Sequence, residues 1–163
     1  MNTIESQFDK VAEDYDFVNE LLNDYSFFVS NMSPKKGRAL DIGCGSGLLV
    51  EKLASYYDEV VGIDISNQML DLAKSKRQLT NTVYLNMNAE QLNFNEKFDF
   101  IVSRTTFHHL DDIASVIQQM KELLNEEGRI VILDNVSEVE TPPTYVYKLG
   151  AIQEFCRIVS NLE

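Results

Sequence analysis

The chain has 163 residues, of which 44% are hydrophobic and 25% charged, the proportions of one globular domain with room for a real core. Its net charge of −12 and pI near 4.5 exclude nucleic acid as the main partner, because phosphate recognition needs a basic surface, and speak less strongly against an anionic membrane surface. No apolar run reaches the length of a membrane span, and Met1-Asn2-Thr3-Ile4-Glu5 has neither the basic nor the apolar region of a signal peptide, so a cytoplasmic protein without stable membrane insertion is expected.

In chain order, residues 1–37 form an N-terminal helical region. Phe8, Val11, Ala12 and Tyr15 recur at helical spacing, as do Val18, Leu21, Leu22 and Tyr25, before the loop Ser33-Pro34-Lys35-Lys36-Gly37. A Rossmann-like core is expected over 38–134. Its first strand runs from Arg38 to Ile42 and its first helix from Ser46 to Tyr57, with Leu49, Val50, Leu53 and Ala54 on one face. The second strand covers Val60 to Asp64, and a helix follows from Ser66, a plausible N-cap, to about Gln78. The third strand is Val83 to Met87, followed by a polar connection over 88–96 and a fourth strand from Phe98 to Val102. A helix from Asp112 to Asn125 turns Ile113, Val116, Ile117, Met120, Leu123 and Leu124 inward. Glu126-Glu127-Gly128 makes a solvated turn, and Arg129 to Leu133 is the fifth strand. Alternation of strands and helices predicts an α/β fold, a doubly wound, mostly parallel sheet of about five strands covered on both faces. Residues 135–163 read as a loop, broken at Thr141-Pro142-Pro143, and a helix.

The most informative segment is Asp41-Ile42-Gly43-Cys44-Gly45-Ser46-Gly47, where an apolar strand ends in an acid and three glycines alternate before a helix. Glycine accepts positive φ and lets a ligand approach the backbone, and a helix start offers unpaired N–H groups, so a nucleotide-type cofactor site is expected here. A dinucleotide fingerprint, G-x-G-x-x-G, would place its third glycine at Leu48; here it falls at Gly47. Asp41 would repel a pyrophosphate and suits a ligand that carries positive charge.

The pattern D-x-G-x-G-x-G resembles motif I of the class I S-adenosylmethionine (SAM)-dependent methyltransferases. Further segments match that family in the same order. Val61-Gly62-Ile63-Asp64-Ile65-Ser66 ends the second strand in an acid 17 residues after Gly47, and Ser66-x-x-Met69 follows. By resemblance Asp64 accepts the ribose hydroxyls, Ile65 and Met69 flank the adenine, and Asn88-Ala89-Glu90 reads the adenine edge, with Asn88 where the family often has an acid. Phe98-Asp99-Phe100-Ile101-Val102-Ser103 is similar to the family's fourth strand, and Arg104-Thr105-Thr106-Phe107-His108-His109-Leu110 to the segment after it in small-molecule methyltransferases. Phe8 to Asp16 looks like the opening helix of the ubiquinone/menaquinone-biosynthesis type, whose tyrosine, here Tyr15, closes over the cofactor. The resemblance covers about residues 8–134. It implies SAM as cofactor, a small-molecule methyl acceptor as partner, and cofactor contacts from Tyr15, Asp41, Gly43, Cys44, Gly45, Gly47, Asp64, Ile65, Met69, Asn88, Ala89, Glu90 and Ser103.

Methyl transfer from a sulfonium needs alignment first and a base only where the acceptor loses a proton. His108 and His109 are the chain's two histidines and lie at the end of the fourth strand; His108 is the first candidate base and His109 the second, with Arg104 placed to orient an anionic group of the acceptor. Adjacent histidines point apart and lack a third ligand, so no metal site is expected. Cys44 and Cys156 read as free thiols of a reducing compartment. The C-terminal antiparallel hairpin of the family is not evident after Asp134, which predicts either a homodimer covering the fifth-strand edge or a tail helix folded over it. The alternatives to an active enzyme are a catalytically incomplete SAM-binding domain or a fragment of a larger methyltransferase; a nicotinamide oxidoreductase would need the missing glycine and a catalytic Tyr/Lys or Ser set.

Overall fold

The computed structural model describes residues 25–134. The expected helix around Tyr15 and the loop and helix over 135–163 lie outside these residues.

Five parallel strands form one sheet in the order β3-β2-β1-β4-β5. They are β1 (Arg38–Ile42), β2 (Glu59–Asp64), β3 (Thr82–Asn86), β4 (Phe98–Arg104) and β5 (Leu124–Leu133). The helices are α1 (Ser26–Ser30), α2 (Leu48–Leu53), α3 (Asn67–Arg77) and α4 (Ile113–Glu122), with a 3-10 turn at Phe107–His109.

The period of two in a strand divides the core in two. Ala39, Val60, Phe100 and Val102 face Leu49, Val50 and Leu53 of α2, Leu70 and Ala73 of α3 and Phe28 of α1. Leu40, Ile42, Val61, Ile63 and Ile101 face Phe107 and the α4 residues Val116 and Met120. Burial on both faces explains why β2 and β4 are near-continuous apolar runs. Ser66 caps α3 by accepting from the Met69 amide at 3.2 Å, and Asp112 caps α4 through the Ser115 amide at 3.0 Å.

Several boundaries differ from expectation: β3 is Thr82–Asn86 rather than Val83–Met87, β4 runs on to Arg104, and α4 stops at Glu122 rather than Asn125 because Leu124 and Asn125 are drawn into β5 beside β4. The helix expected over Ser46–Tyr57 is Leu48–Leu53; it starts late because the three positive-φ glycines hold Ser46 and Gly47 in the turn. Glu126-Glu127-Gly128 is not a separate turn. It is an irregularity inside β5, where Glu127 has φ +62° and the pairing with β4 shifts register between Phe98 and Phe100.

The chain order reverses between β1 and β4, which lie side by side. Their carboxyl ends open the crevice in which doubly wound sheets bind ligands.

Candidate functional site

A cavity of about 200 Å³ opens at that crevice. Its floor is the glycine turn after β1, Gly43 and Gly45, beside Ile63 and Asp64 from β2. One wall is Ile65, Met69, Met87, Asn88, Ala89 and Glu90; the other is Arg104, Thr105, Thr106, His109, Leu110 and Asp111. A smaller hollow of about 50 Å³ adjoins it around Asp41, Cys44, Ser46, Leu48, Leu49 and Tyr25, and Gly43, Gly45, Arg104 and Thr105 border both.

The glycines differ in what they do. Gly43 has φ +74°, and a Cβ there would lie 2.0 Å from Thr106 Oγ1, so it permits both the turn and the close approach of the segment after β4. Gly45 has φ +52°, and a Cβ would meet nothing within 4 Å: it faces open cavity. Gly47 lines neither hollow; a Cβ on it would strike Tyr84 Oη at 2.6 Å, so its role is in the turn and its packing.

Four amides of the glycine turn, those of Gly43, Cys44, Gly45 and Gly47, are paired within the protein. The Gly43 and Cys44 amides both donate to the Ile63 carbonyl at 2.9 Å, the Gly47 amide donates to the Cys44 carbonyl at 3.0 Å, and the Gly45 amide donates to Asp64 Oδ2 at 2.8 Å. A phosphate cradle needs those donors free. The turn therefore suits a ligand without phosphate there. Asp64 lines the cavity and is fixed by the Gly45 amide and by the Ser66 amide, which donates to Oδ1 at 2.9 Å; each carboxylate oxygen can accept more than one hydrogen bond. Asp41 is 2% exposed. Burial first, then the Asp64 charge, pushes its carboxyl from 3.8 up to about 8, with Arg104 pulling the other way. Two carboxyl groups at the turn, an open glycine backbone and the apolar Ile65 and Met69 fit a ligand with a ribose, a cationic end and a flat ring.

Several expected side chains are spent on holding the site. Glu90 Oε1 accepts from the amides of Asp111 and Asp112 at 2.9 and 3.0 Å, tying one wall to the other. Asn88 Oδ1 accepts from the Glu90 amide at 2.9 Å. Ser103 is wholly buried, does not line the cavity, and donates to the Ile42 carbonyl at 2.8 Å, bracing β4 to β1. The Cys44 sulfur packs toward Gly62, and burial followed by the Asp41 and Asp64 charges pushes its thiol well above 9.0.

The two histidines are placed differently. His109 lines the cavity. His108 does not; its Nδ1 sits 2.5 Å from Asp134 Oδ1. Burial first, then His108, lowers His109 below the ordinary 6.5, with Asp134 acting in the opposite sense, so the imidazole facing the cavity is neutral at pH 7. Thr105, with φ +51° in a β-branched residue, borders both hollows and has no signature in the sequence. Among the described residues no cluster of His, Cys, Asp or Glu could hold a metal ion, and no helix is long and apolar enough to cross a membrane.

Comparison with known proteins decides the family. Residues 40–132 match the family described as "Methyltransferase domain". The chain belongs to that family. Its relatives include an uncharacterized methyltransferase of Schizosaccharomyces pombe, 30% identical over 75% of this chain and 49% of its own length. Another is a ubiquinone biosynthesis O-methyltransferase of Pelagibacter ubique, 32% identical over 69% of this chain and 48% of its own length. Among solved structures, a SAM-dependent methyltransferase of Clostridium acetobutylicum is similar with a TM-score of 0.67 at 25% identity, covering 79% of this chain and 58% of that one. The chain spans about half the length of the curated relatives it matches. The fold is that of the class I methyltransferases, whose cofactor is SAM.

Proposed function

We propose that this chain carries the cofactor-binding and base-bearing part of a SAM-dependent methyltransferase that acts on a small molecule losing a proton on methylation. The observation that carries the reading is one cavity bordered by the Gly43–Gly45 turn and Asp64 on one side and by His109 on the other. When bound, SAM supplies an activated methyl group. Asp64 would hold the ribose hydroxyls, Ile65 and Met69 would flank the adenine beside Asn88, Ala89 and Glu90, and Asp41 would meet the cationic amino-acid end. Arg104 borders both hollows and orients an anionic group there. His109, neutral and facing the cavity, accepts the acceptor's proton; general-base help of this kind contributes roughly 100- to 10,000-fold. Alignment of the acceptor supplies the rest.

Two relatives support an oxygen acceptor: the ubiquinone biosynthesis O-methyltransferase and a malonyl-[acyl-carrier protein] O-methyltransferase of Bacillus anthracis, 30% identical over 56% of this chain. The test is transfer of a radiolabelled methyl group from SAM to a panel of phenols, carboxylates and amines, by the wild type and by His109→Ala. Transfer to a phenol that His109→Ala loses at least about 100-fold is expected, whereas a carboxylate, already ionised at pH 7, would be methylated without the base. Full turnover by His109→Ala would remove the base, and binding of SAM without transfer to any class would favour the catalytically incomplete SAM-binding domain.

A further inference from the structure

Asp134, the residue after β5, reaches across to the turn that carries the histidines. Its Oδ2 accepts from the amides of Phe107 at 2.6 Å and His108 at 3.3 Å, and its Oδ1 lies 2.5 Å from His108 Nδ1. The carboxylate side chain is only 8% exposed. The Thr105 amide donates to the Leu133 carbonyl at 2.8 Å, so the same strand end grips both sides of the turn. An ionised carboxylate only accepts, so His108 carries its proton on Nδ1. The two adjacent histidines do not point apart as expected: held by Asp134 in the 3-10 turn, the His108 ring lies against His109, with centroids 3.9 Å apart and planes tilted 44°.

We propose that Asp134 is a positioning residue: acting through His108 and the Phe107–His109 turn, it holds the His109 ring against the cavity so that His109 takes the proton of an O–H or N–H acceptor. This rests on His109 being the base. His109 takes that proton as the acceptor's bond to the methyl carbon forms and the carbon–sulfur bond breaks with its electron pair left on sulfur, so no oxidant or reductant is needed. The titratable and charged groups around His109 are His108 on its own turn, Asp134 just after β5, Arg104 from β4, Asp111 after the turn, Glu90 from the connection after β3 and Asp64 from β2. Asp134 favours the protonated ring and His108 opposes it.

The chain has only two histidines, so ring ¹⁵N–¹H spectra of the cofactor-free full chain, assigned with His109→Ala, read both directly. In the wild type, neutral His108 shows the Nδ1–H tautomer. In Asp134→Asn the amide oxygen still caps the Phe107 amide, but the amide nitrogen now donates to His108, which switches to Nε2–H. His109 then titrates at a lower pH, having lost a favourable charge. In His108→Gln, His109 titrates higher, toward 6.5. Mere loosening would move His109 toward 6.5 in both variants and leave no tautomer switch. An Nε2–H tautomer in the wild type would overturn the proposal without any variant, so failure of Asp134→Asn to fold does not shelter it. Turnover of Asp134→Asn on the acceptor found above should fall roughly 10- to 100-fold with KM for SAM little changed. Full turnover by His109→Ala would instead overturn the base reading and, with it, the catalytic part of this inference.

Discussion

Asp41 shows how one buried group ties the turn's stability to its ligand. Its folded pKa is raised from 3.8 to about 8, so the folded protein holds a proton there that the unfolded chain releases. The stability this gives is complete below pH 3.8, declines as pH rises, and is gone above about 8. Between pH 6.5 and 8.5 the wild type should therefore lose melting temperature relative to Asp41→Asn, which has nothing to ionise. His109 does not mask the effect, because it is present in both proteins; its lowered pKa makes stability fall as the pH drops through 6.5, the opposite sense to Asp41. A cationic ligand favours ionised Asp41, so SAM affinity should rise with pH up to about 8 in the wild type and stay flat in Asp41→Asn. Equal pH slopes in the two proteins, by thermal melts and calorimetry, would contradict this role. Asp41, the glycines and Asp64 were legible in the sequence because their chemistry is local: an acid, a left-handed turn, and an acid at the next strand end. The pairing of the Gly43, Cys44 and Gly45 amides was not legible, since Ile63 and Asp64, which accept them, are brought there only by β1–β2 pairing. Which histidine faces the cavity was hidden for the same reason. It depends on Asp134, 26 residues from His108 in sequence.

At the scale of elements, α3 links stability to the site. Ser66 caps it, the Ser66 amide donates to Asp64, and Met69 on its first turn lines the cavity. Ser66→Ala should cost about 1 kcal/mol, the usual loss for an N-cap. It should also weaken SAM binding, because the cap, Asp64 and Met69 move together; chemical denaturation and calorimetry on one variant measure both. A variant destabilised by that amount with unchanged affinity would separate the helix from the site. The helix and its cap were readable from a serine ahead of an apolar periodicity. Strand β5 was readable only from Arg129 onward, because Glu126-Glu127-Gly128 has turn chemistry and only pairing with β4 carries the strand through it. Buried Arg77 was likewise unexpected at the end of α3: its guanidinium donates to the Ser46 carbonyl at 3.0 Å and steadies the glycine turn from behind.

Across the whole molecule, the order β3-β2-β1-β4-β5 leaves β5 at one end of the sheet among the described residues. Ile130, Val131 and Ile132 on it are buried, so an apolar strand runs along an edge that invites pairing. The full chain should be a dimer by light scattering, or a monomer whose β5 amides exchange slowly because its own tail covers them. A monomer with fast-exchanging β5 amides would contradict both. The doubly wound architecture follows from the alternation of apolar strands with amphipathic helices. The acceptor's identity has no comparable pattern, because the walls that meet it come from separate segments after β3 and β4, joined by Glu90.

The most direct measurement is calorimetric titration of the full chain and of Asp64→Ala with SAM, S-adenosylhomocysteine and NAD. We expect adenosyl-ligand binding at about micromolar Kd, near −8 kcal/mol, its loss in Asp64→Ala, and no NAD binding, since the Gly43, Cys44, Gly45 and Gly47 amides are already paired. NAD binding as tight as SAM, or SAM binding indifferent to Asp64→Ala, would contradict the assignment of this cavity to SAM.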